Sequence, residues 1–152
     1  MRIALVTPAG PGTRNGNRHT ALRWAAFLRA AGHRVAISTQ DLSGDADLLL
    51  ALHARRSHAS IHAFPREKPL LVALTGTDIY RDIRTSAEAR ESLELAHRLI
   101  VLQPKAAEEL PGRLRKKVRV VVQSSATTLR HRPVKGKLRI CVIGHLRAER
   151  TR

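Results

Sequence analysis

Short apolar runs recur along the chain, and stretches of helical spacing separate them. The runs are Arg2–Thr7, Val35–Ser38, Leu48–Leu52, Leu70–Thr75, Leu99–Leu102 and Val118–Val122. They are continuous rather than alternating, as in strands buried on both faces of a parallel sheet. The connections predict helices. Asn17 to Ala31 is rich in Ala, Leu and Arg, and Gly32 supplies a left-handed stop. Ser57–Phe64 predicts a short helix closed by Pro65. Thr85 and Glu88 read as a capping box before a helix carrying Ala89, Leu93 and Ala96. Pro104 fits the first turn of a helix ending near Pro111-Gly112. Strand–helix alternation of this kind implies an α/β fold, a Rossmann-like doubly wound parallel sheet with right-handed crossovers. The Gly44 region and His131–Lys137 read as loops. The second, with Pro133 and Gly136, precedes a new apolar run, Leu138–Ile143, and predicts an interdomain linker. The expected organisation is a first domain over 1–130, a linker over 131–137 and the start of a second domain over 138–152.

Composition narrows the partner classes. The formal net charge is +16, which favours anionic partners. Twenty-two of the 28 basic residues are arginines spread along the whole chain, a distribution that codon bias also produces. Aromatic residues are only 3%, and no basic cluster is interleaved with them, so a base-stacking nucleic-acid surface is poorly supported. No apolar run approaches the roughly 20 residues of a membrane span, and the N-terminal run is too short for a signal peptide. The single cysteine, Cys141, has no internal disulfide partner and fits a reducing cytoplasm. Its apolar surroundings, Leu138 to Ile143, read as a buried thiol rather than a nucleophile.

In open α/β sheets ligands bind beyond the carboxyl ends of the strands, which turns the strand list into a site list. Pro8–Asn17 follows the first run. Its three glycines feed the start of the first helix, where free N–H groups favour anions. The spacing is neither a G-x-G-x-x-G fingerprint nor a P-loop, and an ordinary irregular loop fits it as well. His53-Ala54-Arg55-Arg56-Ser57-His58 follows the third run, with two arginines, a hydroxyl and two histidines suited to an anion. His58 and His62 are spaced i,i+4, yet no carboxylate or cysteine joins them at ligand spacing, so no metal is expected. Thr75-Gly76-Thr77-Asp78 follows the fourth run. There the Asp78 carboxylate either serves a sugar hydroxyl or a proton, or caps the next turn. Gln123-Ser124-Ser125 follows the sixth run as polar cleft lining or plain linker. No G-x-S-x-G elbow or nucleophilic triad is present, so any chemistry rests on binding and positioning.

These residues carry a resemblance. Met1-Arg2-Ile3-Ala4-Leu5-Val6-Thr7-Pro8 with Gly16-Asn17-Arg18-His19-Thr20-Ala21 resembles the first strand and glycine loop of GT-B glycosyltransferases. Leu50–Ser60, Ala73–Asp82 and Val121–Ser125 together resemble the selenosugar synthases of selenoneine biosynthesis, over residues 1–147. The resemblance implies a retaining transfer of N-acetylglucosamine from UDP-N-acetylglucosamine to selenophosphate, giving a selenosugar. It implies the N-terminal, acceptor-side half of a GT-B fold, with no metal and no cofactor. Asp78 and His53 are then the catalytic candidates. Arg55, Arg56, Ser57, His58, Thr75, Gly76, Thr77, Gln123, Ser124 and Ser125 would hold the acceptor. Gly16 and Asn17 would approach the donor diphosphate, with Gly144, Arg147 and Arg150 at the start of the donor-binding domain.

The chain runs only eight residues beyond Gly144, so the second domain is expected to be truncated and the chain alone inactive. Alternatives are a glycosyltransferase with another acceptor and a non-catalytic nucleotide- or anion-binding domain of the same architecture.

Overall fold

A computed structural model of the chain describes residues 1–41 and 43–125, together with Gly136 and Ile140. Six strands form one sheet: β1 (Arg2–Val6), β2 (Arg34–Ser38), β3 (Leu48–Leu52), β4 (Leu70–Leu74), β5 (Arg98–Val101) and β6 (Val118–Val120). All five pairings are parallel, and the spatial order is β2-β1-β3-β4-β5-β6. The chain winds one way from β1 to β2 and the other way from β3 onward. The reversal lies between β1 and β3, where a doubly wound sheet leaves a crevice for ligands.

Successive side chains of the four inner strands alternate between two cores, as the pleat requires. Ile3, Leu5, Leu50, Leu52, Ala73 and Ile100 face α1 (Gly16–Ala30), which contributes Ala21 and Ala25. Ala4, Val6, Leu49, Ala51, Val72, Leu74, Leu99 and Val101 face the opposite side. There they meet α2 (His58–Ala63), α3 (Ile83–Thr85), α4 (Ala87–Leu95) and α5 (Gly112–Arg115). A π-helical turn over Asp78–Asp82 and a 3-10 helix over Pro104–Glu109 complete that layer. Burial on both faces explains why the four inner strands read as continuous apolar runs; the edge strands β2 and β6 carry no buried residue.

Local signals set the boundaries. Asn15 caps α1 by accepting from the Arg18 N–H at 3.0 Å, and such caps contribute about 1 kcal/mol. Gly32, at φ 85°, ends the helix as expected. Three expectations need correction. The cap of α4 is Ser86, not Thr85: Ser86 Oγ accepts from Ala89 N–H at 3.1 Å and donates to Glu88 Oε2 at 2.6 Å. Thr85 is the last residue of α3, so the chain turns extended one residue later. The Pro104 helix is a 3-10 helix, and Pro111-Gly112 opens α5 instead of closing a helix. The final strand stops at Val120, although the Val121 N–H still reaches Val101 O at 2.9 Å.

No helix among the described residues is long and apolar enough to cross a membrane. The linker over 131–137, the run Leu138–Ile143 with Cys141, and the donor-side residues Gly144, Arg147 and Arg150 lie outside the described residues, apart from Gly136 and the exposed Ile140.

Candidate functional site

The residues that follow β3 and β4 assemble into one polar cluster at the carboxyl edge of the sheet. His53 directly follows β3 and has a positive φ of 78°, a backbone conformation uncommon outside glycine and often found at functional positions. Its surroundings hold it there. The His53 N–H donates to Ala73 O at 2.9 Å, and its carbonyl accepts from Ser57 N–H at 3.1 Å. The Arg56 N–H donates to His53 Nδ1 at 3.3 Å. The neutral ring therefore carries its proton on Nε2, which lies 3.3 Å from Thr77 Oγ1 and 3.8 Å from Asp82 Oδ2. Burial holds the His53 pKa below the ordinary histidine value. The neighbouring Asp78 charge works against that shift, and Arg56 adds to it.

Asp78 is fully buried. Its Oδ1 accepts from Thr75 N–H at 3.0 Å and Gly76 N–H at 2.8 Å, and its Oδ2 accepts from Ala54 N–H at 3.2 Å. One carboxylate thus ties the loop after β4 to the loop after β3. Of the two roles open to Asp78, this geometry matches the bracing one. Gly76, at φ 154°, lets the loop turn so that consecutive N–H groups converge on that carboxylate.

Asp82 sits one helical turn beyond Asp78. Its Oδ2 lies 3.0 Å from Arg55 Nε, and its Oδ1 accepts from Arg81 Nε at 3.3 Å. Oδ2 receives no well-aligned hydrogen bond despite the nearby guanidinium. With Thr7 Oγ1 and Thr75 Oγ1 it makes up the buried side-chain polar atoms left without a hydrogen-bond partner among the described residues. Thr7 and Thr75 directly follow β1 and β4, so both hydroxyls lie at the carboxyl edge. Stranded buried polar groups cost about 1–3 kcal/mol each. Arg55 and Arg56 are exposed. Among the described residues, no side chain or carbonyl pairs with the Arg56 guanidinium.

The remaining candidates divide between two other places. Ser57 is buried and donates its hydroxyl to Leu52 O at 2.7 Å, an internal bond. His58 turns to α4, where its Nδ1 meets Ser92 Oγ at 3.1 Å. Gln123 and Ser124 reach α1. Gln123 Nε2 donates to Thr20 Oγ1 at 2.8 Å, and Arg23 Nε donates to Ser124 Oγ at 3.0 Å. Gly16, His19 and Trp24 join them around a small pocket of 120 Å³. The donor-side Gly16 therefore shares a pocket with two acceptor-side candidates. Asn17 is half-buried in the first turn of α1, and Ser125 is exposed. A larger groove of 440 Å³ lies over β1 and β2, lined by Ala4, Ala36 and Asp41 among others. It sits where a loop, not a helix, joins β2 to β3, beside the strands rather than beyond their ends.

Sequence reasoning missed Asp82 and Thr7. Asp82 follows Asp78 at i,i+4, a spacing that puts both carboxylates on one side of a helical turn and was the available signal. Nothing local marks Thr7. It also missed Glu91, which α4 brings to His58 and His62, so a carboxylate does join that pair. No protein-family model and no curated protein matches the chain.

Proposed function

We propose that the chain is the acceptor-side domain of a glycosyltransferase that moves N-acetylglucosamine from UDP-N-acetylglucosamine to selenophosphate. The observation that carries this reading is the pairing of two exposed arginines, Arg55 and Arg56, with a buried polar floor at the carboxyl edge. Selenophosphate is a small anion with an already strong nucleophile. It needs charge and orientation more than a general base, so engagement of Asp78 by three backbone N–H groups is compatible with the role. In this reading Arg56 supplies the open guanidinium fork, Arg55 adds a second charge from its position on Asp82, and the His53 Nε2–H and Thr77 hydroxyl supply neutral hydrogen bonds. Gly16 and Asn17, at the start of α1, would face the donor diphosphate.

Calorimetric titration of selenophosphate, with phosphate as control, tests the reading. Binding weakened in Arg55→Ala and Arg56→Ala supports it. Unchanged acceptor affinity in both variants rejects it. Among the described residues at the edge, Asp78 is bound by backbone N–H groups and Asp82 is paired with Arg55 and Arg81, which favours a second reading, an anion-binding domain without catalysis. Selenophosphate-dependent UDP release from UDP-N-acetylglucosamine, measured on this domain joined to a donor-binding domain, separates the two.

A further inference from the structure

On the outer side of α2 and α4, three side chains converge that take no part in the carboxyl-edge cluster. His58 and His62 lie one turn apart on α2, and Glu91 projects from the middle of α4. His62 Nδ1 is 3.0 Å from Glu91 Oε1, and His58 Nε2 is 3.4 Å from Glu91 Oε2. One ligand atom from each residue lies within 4.8 Å of the other two. The imidazole rings are 5.6 Å apart and tilted by 52° rather than stacked. We propose that His58, His62 and Glu91 form a binding site for a divalent transition-metal ion of the zinc type.

The donor set is the first reason. Two imidazole nitrogens and one carboxylate oxygen suit zinc, with bonds near 2.0–2.2 Å. Tetrahedral bonds of that length separate neighbouring donors by about 3.3 Å. The observed separations of 3.0 and 3.4 Å to the Glu91 oxygens already approach that value.

The support behind His58 is the second reason. Ser92 Oγ donates its one proton to Ala54 O at 2.8 Å, so it must accept from His58 Nδ1–H. That bond fixes the tautomer and aims the Nε2 lone pair at Glu91. Metal-binding histidines are oriented by partners of this kind on the other ring nitrogen. Ser92 is fully buried, so the orienting group is itself rigid.

The surroundings set the role. His62 is 60% exposed and Glu91 45%, which leaves a fourth position open to water. Residue 59, next to the first histidine, is alanine, so the glutamate base that zinc hydrolases carry there is missing. The ion would clasp α2 to α4 rather than run a hydrolysis. This site stands apart from the anion site proposed above and does not depend on it.

The test is calorimetric titration of zinc into the full 152-residue chain after chelator treatment, with melting temperature followed in parallel. One equivalent should bind and raise the melting temperature. His62→Ala and Glu91→Gln are both at exposed positions, and each should weaken binding at least about tenfold. Ser92→Ala should weaken it about 10- to 100-fold through the loss of His58 orientation. No saturable binding overturns the proposal. So does zinc affinity unchanged in both His62→Ala and Glu91→Gln.

Discussion

Arg55 Nε sits 3.0 Å from Asp82 Oδ2, and the two side chains are unequally buried, 41% exposed for the arginine and 4% for the aspartate. The pair therefore ties an exposed cation to a buried anion. Asp82 keeps a second contact with Arg81, 3.3 Å from its other oxygen. The carboxylate holds Arg55 at the carboxyl edge, with Arg56 next to it in the chain, where the proposed anion would bind.

The two arginines should consequently separate in their effects. Arg55→Ala leaves a buried carboxylate with Arg81 and the more distant His53 Nε2 and should destabilise the fold by about 1–2 kcal/mol, between the values for exposed and buried pairs. Arg56→Ala should leave stability within about 0.5 kcal/mol and still weaken anion binding. Urea denaturation and calorimetry on both variants check the split. Equal stability losses would show that Arg56 also holds the fold.

Asp78→Ala should be severe. It strands the N–H groups of Ala54, Thr75 and Gly76 around an emptied carboxylate position. A buried unsatisfied donor such as the Ala54 N–H costs about 1–3 kcal/mol and the half-buried Thr75 and Gly76 donors cost less, so a loss of about 2–4 kcal/mol is expected in urea denaturation. Unchanged stability with lost turnover would instead make Asp78 a catalytic group.

His53 gives a pH signature. Its pKa lies below the ordinary value of 6.5 in the folded chain, chiefly through burial. The unfolded chain then binds the proton more readily, so acid favours unfolding. The contribution is full above pH 6.5 and is lost as the pH falls below it towards the folded pKa. His53→Asn keeps a residue that tolerates positive φ and removes the titrating ring. Denaturation midpoints between pH 5 and 7 should therefore fall less steeply for the variant than for the wild type. Parallel curves would contradict the buried neutral histidine.

Gly76→Ala tests the loop that serves Asp78. A methyl group there would meet no atom within 4 Å, so any cost comes from the backbone at φ 154°. A loss of about 1–3 kcal/mol is expected in thermal unfolding. A neutral result would mean that the loop can relax without releasing the carboxylate.

Much of the fold was legible because burial on both faces writes strands as unbroken apolar runs. Leu48–Leu52 was read to the residue, and Arg2–Thr7 and Leu70–Thr75 each ran one residue long. The strand order was not legible. Nothing local in β1, β2 or β3 says that β1 lies between the other two, because order is decided by crossovers. At the site, the local pattern Arg55-Arg56 was visible, and the carboxyl-edge rule located it. Partnerships across elements were invisible. Asp82 meets Arg55 over 27 residues of sequence, and Glu91 meets His62 over 29. Asp78 was ambiguous for a physical reason: a carboxylate that binds backbone N–H groups and one that binds substrate have the same letter, and only the positions of the donors separate them.

The proposed anion site lies at the carboxyl edge around His53, Arg55 and Arg56. Titration of the isotopically labelled chain with inorganic phosphate, followed by amide NMR shifts, tests it most directly. Saturable shifts centred on His53–Ser57 and Thr75–Asp78 are expected, and they should disappear in an Arg55→Ala/Arg56→Ala double variant. Shifts that are absent, or centred on the start of α1 and unaffected by the double variant, would contradict it.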